Sequence, residues 1–379
     1  MLACLLFAHN SMAARPSRCD SVVTRKEVRD LSSSEWKIVS DTIARMQELG
    51  WFTYFASLHE IYFPVVHGQS QFLPFHRRLI RHFEMVGQRI NPEFALPYWN
   101  EFPDYRNPAK SKVLTDRLLG GNGQGGDKCV MDGVQANWTM HYPSDHCLRR
   151  DFDRGDAIQA WHSTEFIQSV IQRSDTMAVF RESIENSQHG MAHLGIRGDM
   201  VLRHSPNDFI FMLHHAFVDR IWAVWQDDGH ESTFDGPGPN EPNMTKDSRI
   251  LFFNESVESV LSLGRGLMCY EYEDPEEGSD LLAKRAGASS ALAALPNDVL
   301  CRWYPQTCSE VAVAGDTSAV PRTETDGLVD PQSQLPMPAE ISDDFARMHG
   351  FNVDEVRRMN AMAKQFVTEM NAAGYRPKH

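Results

Sequence analysis

Six histidines in two groups of three place the strongest constraint on what this chain can fold into. The first group lies in LHEIYFPVVHGQSQFLPFHRR, and the second lies in ENSQHGMAHLGIRGDM and NDFIFMLHHAFVDRIW. In chain order the six are His59, His67, His76, His189, His193 and His215. Neutral imidazole is a nitrogen ligand that suits copper and zinc, and three imidazoles can hold one ion while leaving a coordination position open. Because each triad consists of imidazoles alone, without a carboxylate or thiolate, the pattern indicates a pair of copper ions.

Helix geometry constrains the second group. His189 and His193 are four residues apart, so both project from one face of a helix and can reach the same ion. His214 and His215 are adjacent and cannot both face one ion from a regular helix. One of them binds and the other packs or hydrogen-bonds, and the spacing leaves open which.

The first group combines helix and loop. Pro64 lies between His59 and His67, so we expect the helix that carries His59 to end before His67, which then lies on a following loop. His76 lies in an apolar helical segment, where a single histidine is more often a core residue than a ligand. The joint pattern of six, rather than any one residue, therefore carries the metal hypothesis.

The sequence predicts a mainly α fold. Few runs alternate apolar and polar residues over the length of a strand, whereas apolar residues recur at helical spacing in several segments. The predicted helices cover residues 28–50, 51–61, 74–90, 180–194, 209–225 and 354–373. Since metal sites of this kind are built in bundle cores from facing helices, we predict an antiparallel four-helix bundle core that holds a dicopper site, with long irregular loops and a C-terminal tail.

Changes in composition suggest the domain organisation. The segment after residue 273 begins with an acidic run and continues into a polar, proline-containing stretch. We expect a leader segment at 1–18, a catalytic domain at 19–273, a flexible linker at 274–338 and a helical tail at 339–379.

Cysteine content and charge bear on the compartment and on partners. Without Cys4 six of the seven cysteines remain, an even number compatible with three disulfides, and we predict the pair Cys129–Cys147 because it brackets a short loop-rich stretch. The apolar run 2–8 has no basic flank, so a secretion signal and a plain N-terminus both stay open. Disulfides favour a secreted protein, and a cytoplasmic protein with reduced thiols is the alternative. The formal net charge of −14 argues against nucleic acid or an anionic membrane as a partner.

The ordered motifs around the histidines resemble those of the tyrosinase family of type-3 copper proteins, which includes catechol oxidases and molluscan-type haemocyanin domains. The resemblance covers residues 25–272 and rests first on LH…HG…FLPFHR…FE followed by LPYWN. In the second half it rests on H-x-x-x-H…GDM…ND-x-IF-x-LHH-x-x-VDRIW. It implies that the two coppers are bound by His59, His67 and His76 and by His189, His193 and His215.

The resemblance also implies an activity. It implies two copper ions as cofactors, and small phenols and dioxygen as partners. The reaction is the oxidation of o-diphenols to o-quinones, with ortho-hydroxylation of monophenols as a further activity. A haemocyanin-like reversible oxygen carrier is the alternative; a single site and a short tail favour the enzyme. A zinc protein is a third hypothesis, but structural zinc prefers four closed ligands that often include cysteine. The oligomeric state stays open.

Four further residues are expected at the site. By resemblance, Glu185 orients a water near the substrate, with an ordinary solvated glutamate as the alternative, and Leu194 faces the substrate. Gly190 stands where relatives that hydroxylate monophenols often carry asparagine, which puts that activity in question. We also expect Arg203 at the mouth of the site.

The surroundings of the site give further expectations. The resemblance implies that Asp208 and Asp219 fix imidazole or backbone orientation and that Arg77 forms a structural ion pair. Phe209 replaces a usual proline, and no Cys–His thioether is expected because valines, not a cysteine, precede His67. Candidates for an aromatic wall are Phe72, Phe75, Phe211 and Trp222.

The C-terminal tail offers two interpretations. In some relatives a C-terminal segment covers the copper site until it is cleaved, and the dibasic pair Lys284–Arg285 is a candidate processing point. A solvated linker is the alternative.

Overall fold

A computed structural model describes residues 19–235, 244–276, 292, 294–314 and 333–377. Helix accounts for 52% of the structure, which confirms the mainly α prediction. The expected leader segment and the pair Lys284–Arg285 lie outside the described residues. Among the helices described, none combines the length and the apolar character needed to cross a bilayer.

Three helices form the first half of the core. They are α1 (Ser33–Glu48), α2 (Trp51–Val66) and α3 (Phe72–Ile90). A capping box of Ser32 and Glu35 starts α1, five residues after its predicted start at residue 28. Helix α2 extends five residues beyond its predicted end at residue 61. Pro64 lies in its last turn, and the helix ends two residues after this proline. His67 lies directly beyond this end in an extended conformation, as predicted.

Four helices form the second half. They are α4 (Thr164–Arg173), α5 (Met177–Ile184), α6 (Gly190–Ile196) and α7 (Ile210–Trp225). Helix α4 was not predicted, although Ser163 caps it and its apolar face is buried. The predicted helix at 180–194 is interrupted by a π-helical turn at Glu185–His189 that joins α5 to α6. Such π turns often occur at functional sites, and this one bears His189.

Two small sheets and their disulfides close the loops. Strand β1 (Val23–Arg25) pairs in parallel with β4 (Tyr270–Tyr272), and the disulfide Cys19–Cys269 lies beside this pair. Strand β2 (Thr139–Met140) pairs antiparallel with β3 (His146–Cys147), and the predicted disulfide Cys129–Cys147 is present.

The C-terminal part packs on the helical core. After the short helix α8 (Glu258–Leu261), which still belongs to the core, it contains α9 (Asn297–Trp303), α10 (Pro305–Ala314), α11 (Asp343–His349) and α12 (Val353–Ala372). Helices α9 and α10 fall inside the expected linker, where a local disulfide joins Cys301 to Cys308. Trp303 and Tyr304 are buried there, and the Tyr304 hydroxyl donates to the Glu165 carbonyl. Two buried aromatics thus anchor a segment that lies within the bounds of the predicted linker.

Candidate metal centre

The fold brings both histidine groups into one buried cluster. Ring nitrogens of His59, His67 and His76 lie within 4.8 Å of one another, and so do those of His189, His193, His215 and the adjacent His214. The two groups meet where the rings of His76 and His215 stack with centroids 4.3 Å apart. All six side chains are at most 7% exposed. The two segments, which are distant in the sequence, therefore converge in the structure.

Backbone carbonyls fix the orientation of five of the six imidazoles. In each case Nδ1 faces a carbonyl oxygen, at 2.6 Å for His59 and 2.8 Å for His76. The carbonyl oxygens of Arg203, Phe63, Phe72, Glu185 and Met200 face His59, His67, His76, His189 and His193, respectively. An Nδ1 that donates to a carbonyl leaves Nε2 with its lone pair, which is how histidine is prepared to bind a metal.

The inward nitrogens satisfy a test of whether metal ions fit this cluster. Nε2 of His189, Nε2 of His193 and both ring nitrogens of His215 are buried without a hydrogen-bond partner. Nε2 of His59 lies 3.2 Å from Nε2 of His76, although both Nδ1 atoms already face carbonyls. Buried polar atoms without partners are costly, and a metal ion would satisfy these lone pairs.

Burial also keeps the imidazoles in their ligand form. Loss of water around the ring lowers the pKa of His59 to about 3. The same cause lowers the pKa well below its usual value in the other five. Neutral imidazole is the form that binds metal, so the cluster is prepared for ligation near neutral pH.

A buried carboxylate distinguishes the adjacent histidines. Nδ1 of His214 lies 2.6 Å from Oε1 of Glu101, which is itself fully buried. The other oxygen of Glu101 accepts from the Gln188 side chain. His215 makes no such bond and stacks on His76. Sequence reasoning missed Glu101, although an acid directly after the apolar LPYWN motif was an available signal.

Aromatic rings enclose the cluster. Phe72 lies 4.8 Å from the ring of His76 and 4.7 Å from that of His189, so it contacts both groups. Phe211 does the same, at 4.9 Å from His59 and 4.2 Å from His215. Phe75 also contacts the His76 ring, at 5.4 Å. These rings exclude water from the six imidazoles.

One predicted wall residue has another role, and one wall residue was missed. The Arg77 guanidinium is buried beside Asp219. Trp222 packs against this cation, with the Arg77 Cζ atom 3.6 Å from the centroid of the Trp222 ring. Phe63, which was not predicted, stacks on His67 with centroids 3.8 Å apart.

The residues expected on the substrate side differ in burial and in their contacts. Glu185 is fully buried, and its carboxylate accepts from the Gly68 amide at 2.7 Å and from Arg181 at 2.9 Å. Burial raises the pKa of Glu185 to about 7, although Arg181 acts in the opposite direction. Leu194, on α6, is partly buried against the core. Arg203 places its carbonyl on His59 and its guanidinium 5.2 Å from the Phe63 ring.

The C-terminal tail lies over this face of the core. A Cβ added at Gly190 would lie 2.6 Å from Cδ1 of Ile341. The rings of Phe351 and His67 are 6.4 Å apart, and the Arg203 guanidinium donates to the Met348 carbonyl at 2.9 Å. Residues 341–351 therefore cover the side of the cluster where Gly190 and His67 lie.

Second-layer contacts agree in part with expectation. Asp208 accepts from Arg150 and from the Ile210 amide, so it fixes the backbone at the start of α7. Asp219 binds Arg77 and the hydroxyls of Tyr270 and Tyr272 rather than an imidazole. The expected Arg77 ion pair is thus present.

The departures from the family pattern have local explanations. The Phe209 amide, which a proline would lack, donates to Gln135 at 3.0 Å and so ties the entry of α7 to a neighbouring loop. All six cysteines among the described residues form disulfides, so none of them is available for a thioether to His67.

Comparisons with known proteins agree with this geometry. Residues 49–228 match the family model for the common central domain of tyrosinase. A tyrosinase from Streptomyces glaucescens is 29% identical over 231 residues, covering 54% of this chain and 83% of that protein. The tyrosinase-like protein phomQ2 from Diaporthe leptostromiformis is 26% identical over 302 residues, covering 71% of this chain and 77% of that protein.

A solved structure supports the fold. A polyphenol oxidase mutant from Thermothelomyces thermophila superposes with a TM-score of 0.58 at 19% identity, covering 68% of this chain and 91% of that one. The matched domain spans all six histidines, and the fold that carries them is shared. Residues 49–228 therefore carry the common central domain of the tyrosinase family of type-3 copper proteins.

Proposed function

We propose that this protein is a copper-dependent phenol oxidase that oxidises o-diphenols to o-quinones with dioxygen. The observation that carries the proposal is the single buried cluster in which two histidine groups present unpaired nitrogens to one another. The proposed ligands are His59, His67 and His76 for one copper ion, and His189, His193 and His215 for the other. His215 is preferred to His214 because both of its ring nitrogens are unpaired and its ring stacks on His76 of the other group.

The chain's own residues prepare the site for this chemistry. Bound copper ions would supply the one-electron couples needed to pass two electrons from a diphenol to dioxygen. The carbonyls of Arg203 and Met200 hold the imidazoles of His59 and His193 in place, so no reorganisation is needed when metal binds. Phe72 and Phe211 keep water from the ligands.

The buried acid near the site has a proton-handling role in the proposal. Glu185 lies in the turn that bears His189, and its pKa of about 7 lets it exchange a proton near neutral pH. Its bonds to the Gly68 amide and to Arg181 fix the position of the carboxylate. We propose that it orients a water beside the phenol hydroxyl.

Catechol turnover distinguishes the enzyme from a reversible oxygen carrier. We expect the copper-loaded chain to consume dioxygen when catechol is added and to form quinone in proportion. Metal analysis should give two copper ions per chain. A protein that binds and releases dioxygen while leaving catechol unchanged would be a carrier, and zinc in place of copper would contradict both functions.

The substitution Gly190→Asn tests whether monophenol hydroxylation depends on an amide beside the site. We expect the ratio of tyrosine hydroxylation to catechol oxidation to rise by about tenfold, because an amide next to Glu185 can help hold a basic water. Initial rates on the two substrates measure this ratio. The new side chain must displace Ile341, whose Cδ1 lies 2.6 Å from the added Cβ.

The variant Gly190→Ala is the matched control. It adds the same Cβ against Ile341 without the amide. An equal rise in both variants would show that displacement of the tail, and not the asparagine amide, causes the change.

We also propose that the protein is secreted. Three disulfides among the described residues are typical of oxidising compartments.

A further inference from the structure

A second cluster of potential metal ligands lies outside the six core histidines. It consists of His146, Asp199 and His204, each of which offers one ligand atom within 4.8 Å of the others. Nε2 of His146 is 2.8 Å from Oδ1 of Asp199, and Nε2 of His204 is 3.8 Å from the same oxygen. The side chains are 9%, 1% and 12% exposed, respectively, so the cluster lies just below the surface.

Both imidazoles of this cluster are oriented as metal ligands are. Nδ1 of His146 lies 2.7 Å from the Ser144 carbonyl, and Nδ1 of His204 lies 3.1 Å from Oε2 of Glu60. Nε2 of His146 donates to Oδ1 of Asp199, and a cation bound by both atoms would replace that proton while each Nδ1 keeps its N–H. A carbonyl or carboxylate behind each imidazole is the usual outer layer of a histidine metal site.

The third ligand is held by its neighbours. Oδ2 of Asp199 accepts from the Arg149 amide, and Oδ1 accepts from the Asn207 side chain, both at 2.9 Å. The residue after His146 is Cys147, which the disulfide to Cys129 pins in place. The cluster is therefore fixed by its scaffold before any ion binds.

We propose that His146, Asp199 and His204 bind one divalent cation, with Zn²⁺ as the best match. Two imidazole nitrogens and one carboxylate oxygen form a donor set that zinc accepts, and water would complete the tetrahedron. The cation would also neutralise the buried carboxylate of Asp199 once the proton on Nε2 of His146 is released.

The position of the cluster suggests what the cation does. Asp199 and His204 bracket a short loop whose Met200 and Arg203 carbonyls face Nδ1 of His193 and of His59. A cation that joins Asp199 to His204 would clamp this loop and so hold one imidazole from each copper group. This role rests on the proposed function, whereas the existence of the site does not.

Zinc uptake by the copper-loaded full chain tests the site. We expect one Zn²⁺ per chain by elemental mass spectrometry after gel filtration. The variants His146→Ala and His204→Ala should each bind zinc at least tenfold more weakly. His141→Ala is the matched control, because His141 is a neighbouring exposed histidine that pairs with Asp145 outside the cluster. It should bind zinc as the parent does.

X-ray absorption at the zinc edge of the parent protein makes the test independent of how the variants fold. Two imidazole nitrogens and oxygen donors at about 2.0–2.2 Å are expected. No zinc uptake by the parent, or equal uptake by all variants, would overturn the proposal and leave a hydrogen-bonded pair of His146 and Asp199. Zinc binding without catechol oxidation would refute only the proposed function, and oxidation without zinc binding would refute only this site.

Discussion

Replacing His193 with alanine is expected to abolish catechol oxidation and the near-ultraviolet absorption that hydrogen peroxide induces in the copper-loaded protein. Nε2 of His193 is buried and unpaired, and its Nδ1 is held by the Met200 carbonyl. Loss of an outer partner of a metal ligand costs about 10–100-fold in metal affinity or activity, and loss of the ligand itself should exceed this. Metal analysis should show fewer than two coppers per chain, and optical titration with peroxide reports whether the pair is intact.

His82→Ala is the control for that variant. His82 is also a partly buried imidazole, but it packs against Tyr54 and Phe55 and lies outside the cluster. It should keep both the absorption band and the activity. If His193→Ala retains two coppers and the full band, the proposed ligand set is wrong.

Cutting the chain after folding so that the tail dissociates is expected to raise kcat/KM for catechols by about tenfold, because the apparent rate follows the fraction of molecules whose site is open. Ile341 and Phe351 lie against Gly190 and His67, and the copper ligands are buried beneath them. The increase should be larger for a bulky catechol than for catechol itself. A protease site introduced within residues 322–330 allows the cut, and steady-state rates before and after it measure the effect.

Cleavage at the dibasic pair Lys284–Arg285 would release a longer segment, which contains α9 and α10 as well as the same tail. The three described disulfides are Cys19–Cys269, Cys129–Cys147 and Cys301–Cys308, and none of them joins the two sides of such a cut. Unchanged rates in a cut protein that has lost the tail yet keeps its copper and its circular dichroism would exclude a shielding role.

A pair of charge reversals on α12 tests the same idea without removing the buried face of the tail. Arg358 pairs with Glu182 of the core at 2.7 Å, whereas Lys364 pairs with Glu340 inside the tail at 2.6 Å. Arg358→Glu places a second negative charge opposite Glu182 across the interface between the tail and the core. The repulsion should weaken the docking of the tail and raise the rate in part. Lys364→Glu changes the charge equally and should leave the rate unchanged.

The local sequence was sufficient for the elements that carry the ligands. Periodicity and capping residues located α1, α3 and α7 to within a few residues, since these signals depend on neighbours in the chain. The position of His67 beyond a proline-terminated helix followed in the same way. The disulfide Cys129–Cys147 was also predictable, because a short loop brings its ends together.

Composition did not indicate burial that depends on contacts between residues distant in the sequence. The segment with Trp303 and Tyr304 resembles a linker, yet these two side chains are buried and Tyr304 bonds to the Glu165 backbone. The π turn at Glu185–His189 also left no periodic signal, since it interrupts an otherwise helical run.

By itself, the sequence determined which histidines could bind metal, the helical class of the fold and the family whose motifs surround them. Only the tertiary structure decided that Glu101 holds His214 and leaves His215 facing His76, that the tail covers Gly190, and that His146 meets Asp199. Helical period and turn chemistry act between residues a few positions apart. Each of those four contacts joins residues more than 50 positions apart, and their approach is set by how whole helices and loops pack.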